Sequence, residues 1–267
     1  MKLSITSLIS TALLSVAFQL SATTTTIVSY TPPPNSQGAY GVFAPGFDQG
    51  SFQAVGPGKS EIYIAPSQLF SSPVKISDIA SISYYTNKPG DGTQVDWTFY
   101  LYTNTTGTGD TGSFYHTRLN SEPYFAQATA PGNTWHQWTT GVTPNQSMRF
   151  YDADRTGVFG TYNDPFLSQL QSGPITWNSF GPSYGVAGQT YGPTSIDYSN
   201  ELIKYFSFQT GSAWSSGFNG YLDGFRVTLT NGDIGVVNFD AIPEPSTVVL
   251  IGVGLAALVQ VKRRRRA

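Results

Sequence analysis

The chain has 267 residues and a formal net charge of −2, and only 11% of its residues are charged, against roughly 25% in a typical soluble domain. Sixteen acidic residues, all at or before Glu244, outnumber the eight basic residues between Lys2 and Lys262. Without a basic stripe, a nucleic-acid-binding role is excluded. The absence of cysteine excludes disulfides, thiolate metal sites and cysteine nucleophiles.

The first 22 residues have the layout of a secretory signal peptide. Lys2 supplies a minimal positive region, residues 8–18 an apolar stretch, and residues 20–22 (Leu-Ser-Ala) a cleavage site. Residues 15–17 are a second candidate for cleavage, and a buried core helix is the structural alternative. The pattern predicts residues 1–22 as a signal peptide and export through the Sec machinery.

Strand patterns dominate the middle of the chain. Residues 79–85 and 95–103 both have the composition of strands, and residues 88–92 between them combine Pro and Gly, which predicts a hairpin. Further strands are predicted at residues 134–139, 146–151, 205–209, 222–230 and 235–239, with an Asn231-Gly232 hairpin turn between the last two and one short helix at 165–170. Short strands, Gly-rich turns and no βα alternation predict an all-β fold, with residues 23–241 as a single β-sandwich of the jelly-roll, lectin-like kind.

Tryptophans are the first candidate ligand-binding side chains. Carbohydrate sites stack sugars on exposed aromatic faces, although large aromatic rings more commonly fill the core. Trp135 and Trp138 are three residues apart, so in a strand they point to opposite faces and at most one is exposed. The candidates for a carbohydrate-stacking platform, of which at least one is expected to take part, are Trp97, Trp135, Trp138, Trp177 and Trp214.

Residues 152–157 copy the first half of a calcium loop. Asp152, Asp154 and Thr156 place oxygen ligands at positions 1, 3 and 5, and Gly157 takes position 6. Asn163 stands at position 12 instead of the bidentate Glu, which excludes an EF-hand. The alternatives are a partial, structural calcium site and a plain acidic turn. No other cofactor is predicted.

Signatures of catalysis are weak. Residues 181–185 match the G-x-S-x-G elbow, but the glycines and proline that follow forbid the required helix, and both histidines precede Ser183. None of the four glutamates lies in a recognisable glycosidase motif, although such an enzyme needs a pair of carboxylates. We therefore expect no enzymatic activity.

The C-terminal end carries the most specific pattern in the chain. Pro243, Glu244 and Pro245 precede an apolar run, and a cluster of basic residues then closes the chain, with Arg263, Arg264, Arg265 and Arg266 at its end. A helix over residues 246–261 would be about 24 Å long, short of a ~30 Å hydrocarbon core, and could span by thinning the bilayer. The arginines place the C-terminus in the cytoplasm.

These features in this order resemble the PEP-CTERM sorting signal, over residues 242–267. The alternative is an ordinary single-span anchor. The resemblance implies recognition by an exosortase, a membrane protease-transferase of Gram-negative bacteria that have exopolysaccharide systems. Pro243, Glu244, Pro245 and the four arginines would then be recognition residues for that enzyme. The segment 214–240 also resembles the closing strands of exported PEP-CTERM proteins.

Together these patterns predict an exported surface or matrix protein. It would be anchored transiently in the inner membrane through its C-terminal helix, processed by the exosortase, and associated with exopolysaccharide through its β-sandwich. The competing hypothesis is a secreted jelly-roll glycan hydrolase or lyase.

Overall fold

Strands make up nearly all of the regular structure. The computed structural model describes residues 23–33, 35–47, 49–55, 58–88, 96–104, 118–122, 132–141, 147–152, 164–176, 195–211 and 218–239. The strands in these ranges are β1 (Thr25–Ser29), β2 (Ser36–Tyr40), β3 (Gly50–Ala54), β4 (Glu61–Ile64), β5 (Ile79–Asn87), β6 (Thr98–Asn104), β7 (Arg118–Ser121), β8 (His136–Thr139), β9 (Tyr151–Asp152), β10 (Ile175–Thr176), β11 (Ser195–Ile196), β12 (Leu202–Gln209), β13 (Tyr221–Leu229) and β14 (Ile234–Asn238). The same ranges hold a short helix, α1 (Leu167–Gln171), and two 3-10 turns at Pro66–Gln68 and Ile76–Asp78. The prediction of an all-β fold is confirmed.

Two large sheets are formed by these described strands. In the seven-stranded sheet, β13 pairs with β5, β3 and β14; β8 adds to β5, β2 adds to β3, and β1 adds to β14. The five-stranded sheet has the order β4-β12-β6-β7-β9, and β10 and β11 form a separate pair. Most pairings are antiparallel, but β1 runs parallel to β14, so the first and last strands of the described chain are neighbours.

Aromatic rings from both sheets meet in a shared core. Phe208 of β12 contacts Tyr84 of β5 and Phe225 of β13, with ring centroids 5.0 Å apart in each pair. Phe99 of β6 also contacts Phe225, at 5.8 Å. Because side chains alternate along a strand, burying one face of each sheet leaves the opposite face of the five-stranded sheet for polar and amphipathic side chains.

The predicted hairpin between residues 79–85 and 95–103 is wrong. β5 pairs with β13 and β8 in the seven-stranded sheet, whereas β6 pairs with β12 and β7 in the five-stranded sheet. The chain therefore crosses between layers after β5. The alternating pattern did not reveal this, because a strand in either layer buries one face against the same core.

The predicted hairpin at Asn231-Gly232 is confirmed. β13 and β14 pair in antiparallel register around it, and Gly232 adopts φ +94°, a conformation that glycine reaches without a steric penalty. The backbone N–H of Gly232 donates to the carbonyl of Leu229 at 2.9 Å. The turn is fixed by local chemistry, so the sequence alone was enough to find it.

Several predictions concern parts of the chain that lie outside the described residues. These are the signal peptide (1–22), the sorting segment (242–267) and the G-x-S-x-G match (181–185). Within the described ranges, no helix has the length and apolar character needed to cross a membrane. The single-domain limits of 23–241 and the jelly-roll connectivity stay predictions.

Candidate functional site

Two of the five candidate tryptophans belong to the core. Trp97 and Trp138 are buried, with exposed fractions of 0% and 1%. The indole N–H of Trp97 donates to the carbonyl of Gly220 at 3.0 Å. Neither ring presents a face to a ligand, so Trp97 and Trp138 are ruled out as stacking candidates; their apolar area and their satisfied N–H groups serve packing instead.

Trp138 is held by a buried polar chain that ends at a carboxyl group. Its indole N–H donates to the Thr86 hydroxyl at 2.7 Å, and that hydroxyl donates to Oδ2 of Asp96 at 2.7 Å. The backbone N–H of Trp97 donates to Oδ1 of Asp96. Burial raises the pKa of Asp96 to about 6, partly offset by these hydrogen bonds and by the charge of Lys88. Each of the hydrogen-bonding groups named here, from Trp138 through Thr86 to Asp96, has a partner, which is what a buried network requires.

The remaining tryptophans are half-buried or lie outside the described residues. Trp135 precedes β8 and is half-buried, and its ring lies 6.3 Å from that of Tyr221. With Trp138 buried, this pair follows the expectation that at most one of the two is exposed. Trp177 and Trp214 lie outside the described residues.

Asp152, the first ligand of the predicted calcium loop, is buried in β9. Its Oδ2 accepts a hydrogen bond of 2.8 Å from the hydroxyl of Tyr198. Asp154 and Thr156 lie outside the described residues. Among the described residues, no group of three or more His, Cys, Asp or Glu side chains is placed to hold a metal ion. The calcium site stays a prediction.

Tyrosines and amides line the face of the five-stranded sheet that points away from the shared aromatic core. In register across all five strands lie, in order, Tyr63 (β4), Ser207 (β12), Tyr100 (β6), Asn120 (β7) and Tyr151 (β9). At a strand spacing of about 4.8 Å, such a row is roughly 19 Å long. Only Tyr63 and Tyr100 in it are partly exposed, because Ser207, Asn120 and Tyr151 are buried. We call this row, together with a second row formed by Tyr205, Tyr102 and Arg118, the tyrosine face.

A second row of the tyrosine face lies beside the first. Tyr205, Tyr102 and Arg118 are in register across β12, β6 and β7. Tyr102 is buried, and its ring centroid lies 5.7 Å from that of Tyr63 and 6.1 Å from that of Tyr100. The ring of Tyr205 meets that of Tyr63 edge-on at 5.7 Å. Tyr63, Tyr100 and Tyr205 are half-buried, so each keeps part of its ring accessible.

The hydroxyl groups of this face are ordered by an amide. The side-chain N–H groups of buried Gln209 contact the hydroxyl oxygens of Tyr102 at 2.9 Å and Tyr63 at 3.3 Å. Burial raises the pKa of Tyr63, and the neighbouring Tyr102 and Glu61 raise it further. Tyr63 is therefore a neutral phenol, able both to donate and to accept hydrogen bonds.

One edge of the face carries ionisable groups. Tyr151 donates a short hydrogen bond to Oε1 of Glu122. Burial raises the pKa of Glu122, and burial together with the charge of Glu122 raises that of Tyr151. The guanidinium carbon of Arg118 lies 5.8 Å from the centroid of the Tyr100 ring. A tyrosine held protonated in this way acts as a hydrogen-bond donor and is a poor general base.

Comparison with known proteins identifies the end of the chain. Residues 241–266 match the PEP-CTERM protein-sorting motif. The chain carries an exosortase sorting signal. The motif indicates export to the bacterial cell surface and implies an exosortase as processing partner. Pro243, Glu244, Pro245 and Arg263 to Arg266 all lie inside the matched segment, which is outside the described residues. No curated protein and no solved structure shows significant similarity to the chain.

The tyrosine face was missed at the level of sequence. The signal was present: in β6, Tyr100 and Tyr102 alternate with the core residues Phe99 and Leu101. Such alternation marks an outer face but leaves open which strands lie beside it. The tyrosines come together through the pairing of β12 with β4 and β6 and of β6 with β7, and the order of these strands in the sheet differs from their order in the chain.

Proposed function

We propose that this exosortase-sorted extracellular protein is a non-enzymatic surface or matrix component that binds exopolysaccharide through its tyrosine face. The observation that carries the proposal is the half-buried trio of Tyr63, Tyr100 and Tyr205, grouped around buried Tyr102. Aromatic rings can stack on the C–H faces of sugars, and phenol and amide groups suit their hydroxyls. The absence of any basic stripe in the sequence favours a neutral polysaccharide over a polyanion.

The route to the surface is part of the proposal. After Sec-dependent export, residues 246–261 would hold the protein transiently in the inner membrane of a Gram-negative cell, with Arg263 to Arg266 on the cytoplasmic side. The exosortase would act near Pro243 to Pro245. The outward-facing domain would then be released or transferred to the outer surface, where exopolysaccharide accumulates.

A secreted glycan hydrolase or lyase is the second candidate. Its supporting observation is the contact of Glu122 with Tyr151 at the edge of the tyrosine face, close to Arg118. The raised pKa of Tyr151 argues against its acting as the base in a lyase. Release of reducing ends or unsaturated sugars from the exopolysaccharide of the producing bacterium would support this second candidate and contradict the first.

Affinity electrophoresis in gels containing the host exopolysaccharide tests the binding proposal. We expect Tyr205→Ala and Tyr63→Ala to weaken retention by roughly 2- to 10-fold each, because an aromatic stacking contact contributes about 0.5–1.5 kcal/mol. Tyr40→Ala is the matched control, because it also removes a tyrosine ring but does so on the seven-stranded sheet, away from the tyrosine face, where Tyr40 is 74% exposed. Its retention should be unchanged. Absence of retention of the unmodified protein at millimolar sugar would refute the proposal.

A further inference from the structure

The end of β2 and the start of its connection to β3 carry two of the three exposed large hydrophobic side chains among the described residues, and Asp48, the one charged residue of that connection, lies outside the described residues. We call residues 40–47 (Tyr-Gly-Val-Phe-Ala-Pro-Gly-Phe) the aromatic loop. Tyr40 is 74% exposed and Phe43 is 44% exposed; the third such residue, Ile27, lies on β1. Exposed apolar groups held together on a surface usually mark a contact with a partner or a membrane.

The backbone that follows Phe43 is fixed to the domain by hydrogen bonds and a turn. The next residue, Ala44, is buried, and its N–H donates to Oδ2 of buried Asp223 at 2.9 Å. The N–H of Phe47 donates to the carbonyl of Ala44 at 3.0 Å, closing a turn with Pro45 and with Gly46 at φ +85°. Pro followed by a positive-φ Gly fixes a type II turn.

The base of the loop lies where the last strand ends. The Phe47 ring packs on Gly224, so closely that a Cβ there would lie 2.4 Å from a ring carbon. The neighbouring residue, Phe225, is the register partner of Val237 in β14. β14 and β3 lie one after the other along the same edge of β13, so the aromatic loop and the exit of the chain from β14 are neighbours.

The tether from this exit to the sorting helix is short. Phe239 is fixed in the core, with its ring 5.0 Å from that of Phe52 and 5.9 Å from that of Phe208. Six residues, 240–245, separate it from the apolar run that begins near residue 246. However they are arranged, the seven steps from residue 239 to residue 246 reach at most about 25 Å. Such a tether keeps the exit from β14, and the aromatic loop beside it, close to the bilayer at a high effective concentration.

We propose that the aromatic loop docks on the outward lipid surface of the membrane in which the tail is inserted. The proposal rests on the proposed insertion of the tail. Tyrosine and phenylalanine suit the interfacial region of a bilayer, and residues 40–50 contain no Lys or Arg through which anionic lipid would be required. Docking would hold Pro243 to Pro245 near the membrane surface, where a membrane-embedded protease works.

Single-cysteine labelling of the full chain tests the docking. The chain has no cysteine, so Phe43→Cys or Tyr40→Cys creates one attachment point for an environment-sensitive fluorophore. Ser72→Cys is the control, because Ser72 is exposed and lies beside the β13–β14 turn at the opposite end of β14. The labelled chains are reconstituted into phosphatidylcholine vesicles with and without a nitroxide on the lipid headgroup.

We expect a blue shift and loss of emission on adding nitroxide lipid for labels at 43 and 40, and neither change at 72, with no dependence on salt. If the chain floats with the vesicles but labels at 43 and 40 behave like the label at 72, docking is refuted while tail insertion stands. A blue shift without nitroxide quenching, growing with protein density, would indicate that a second copy covers the loop and would also refute docking. If the chain does not float with the vesicles, tail insertion and docking are both refuted.

Discussion

Replacing Asp96 by Asn should abolish a pH dependence of stability that the buried carboxyl group creates. The pKa of Asp96 is about 6, compared with 3.8 for an ordinary aspartate, and at 1.36 kcal/mol per pKa unit this difference corresponds to about 3 kcal/mol. Between pH 4 and pH 6 the folded state binds more protons than the unfolded state. The unfolding free energy is therefore about 3 kcal/mol higher below pH 4 than at high pH, and this extra stability is lost as the pH rises through about 6.

The assay is urea unfolding followed by tryptophan fluorescence from pH 4 to pH 8. The difference in unfolding free energy between Asp96→Asn and the unmodified chain should change by about 3 kcal/mol across this window, in favour of the variant at high pH. The neighbouring His136 also titrates in this window, because burial and then the charge of Lys88 lower its pKa, and its effect makes the fold less stable at low pH. Both proteins contain His136, so this effect cancels in the difference. Asp78→Asn, a half-buried carboxylate that accepts from the N–H of Lys75, serves as control. A pH-independent difference for Asp96→Asn would refute the reasoning.

Three further predictions concern packing, backbone conformation and sorting. Trp97→Phe should destabilise the fold by about 2–4 kcal/mol in urea titration, through lost volume and a lost hydrogen bond, whereas Trp135→Phe should cost less than about 1 kcal/mol; equal costs would contradict the core assignment of Trp97. Gly224→Ala should cost about 1–3 kcal/mol by thermal unfolding, because Gly224 has φ +62° and a Cβ would strike Phe47; a neutral effect would contradict this geometry. Glu244→Gln should leave unprocessed precursor in the membrane fraction on an immunoblot, and normal processing would contradict its role in recognition.

The parts of the fold that were predictable rest on local chemistry. The turn at Asn231-Gly232 and the strand composition depend on residues a few positions apart, and both follow from backbone preferences. The pairing of β5 and β6 was predicted wrongly because neighbouring strands often form hairpins, and the alternation of residues 95–103 is the same for a strand in either sheet. Sheet order depends on long-range contacts that a single sequence does not encode in its periodicity.

The candidate site divides in the same way. The sorting motif was found because its residues are contiguous, so order and spacing alone specify it. The tyrosine face combines residues from β4, β12, β6, β7 and β9, and no stretch of sequence shows that Tyr63 lies beside Tyr205. From composition alone, tryptophans were predicted to be the sugar-stacking residues. The large apolar ring that suits an indole to stacking on sugars also suits it to the core, and Trp97 and Trp138 are buried there.

Intact-mass spectrometry of the protein recovered from the cell surface or medium tests the central claim most directly. In cells with an active exosortase, the mature chain should lack the signal peptide and the residues that follow the Pro243–Pro245 motif, including Arg263 to Arg266. In cells from which the exosortase is deleted, the C-terminal segment should remain attached and the protein should stay in the membrane fraction. Surface protein that retains Arg263 to Arg266 in cells with an active exosortase would contradict the account.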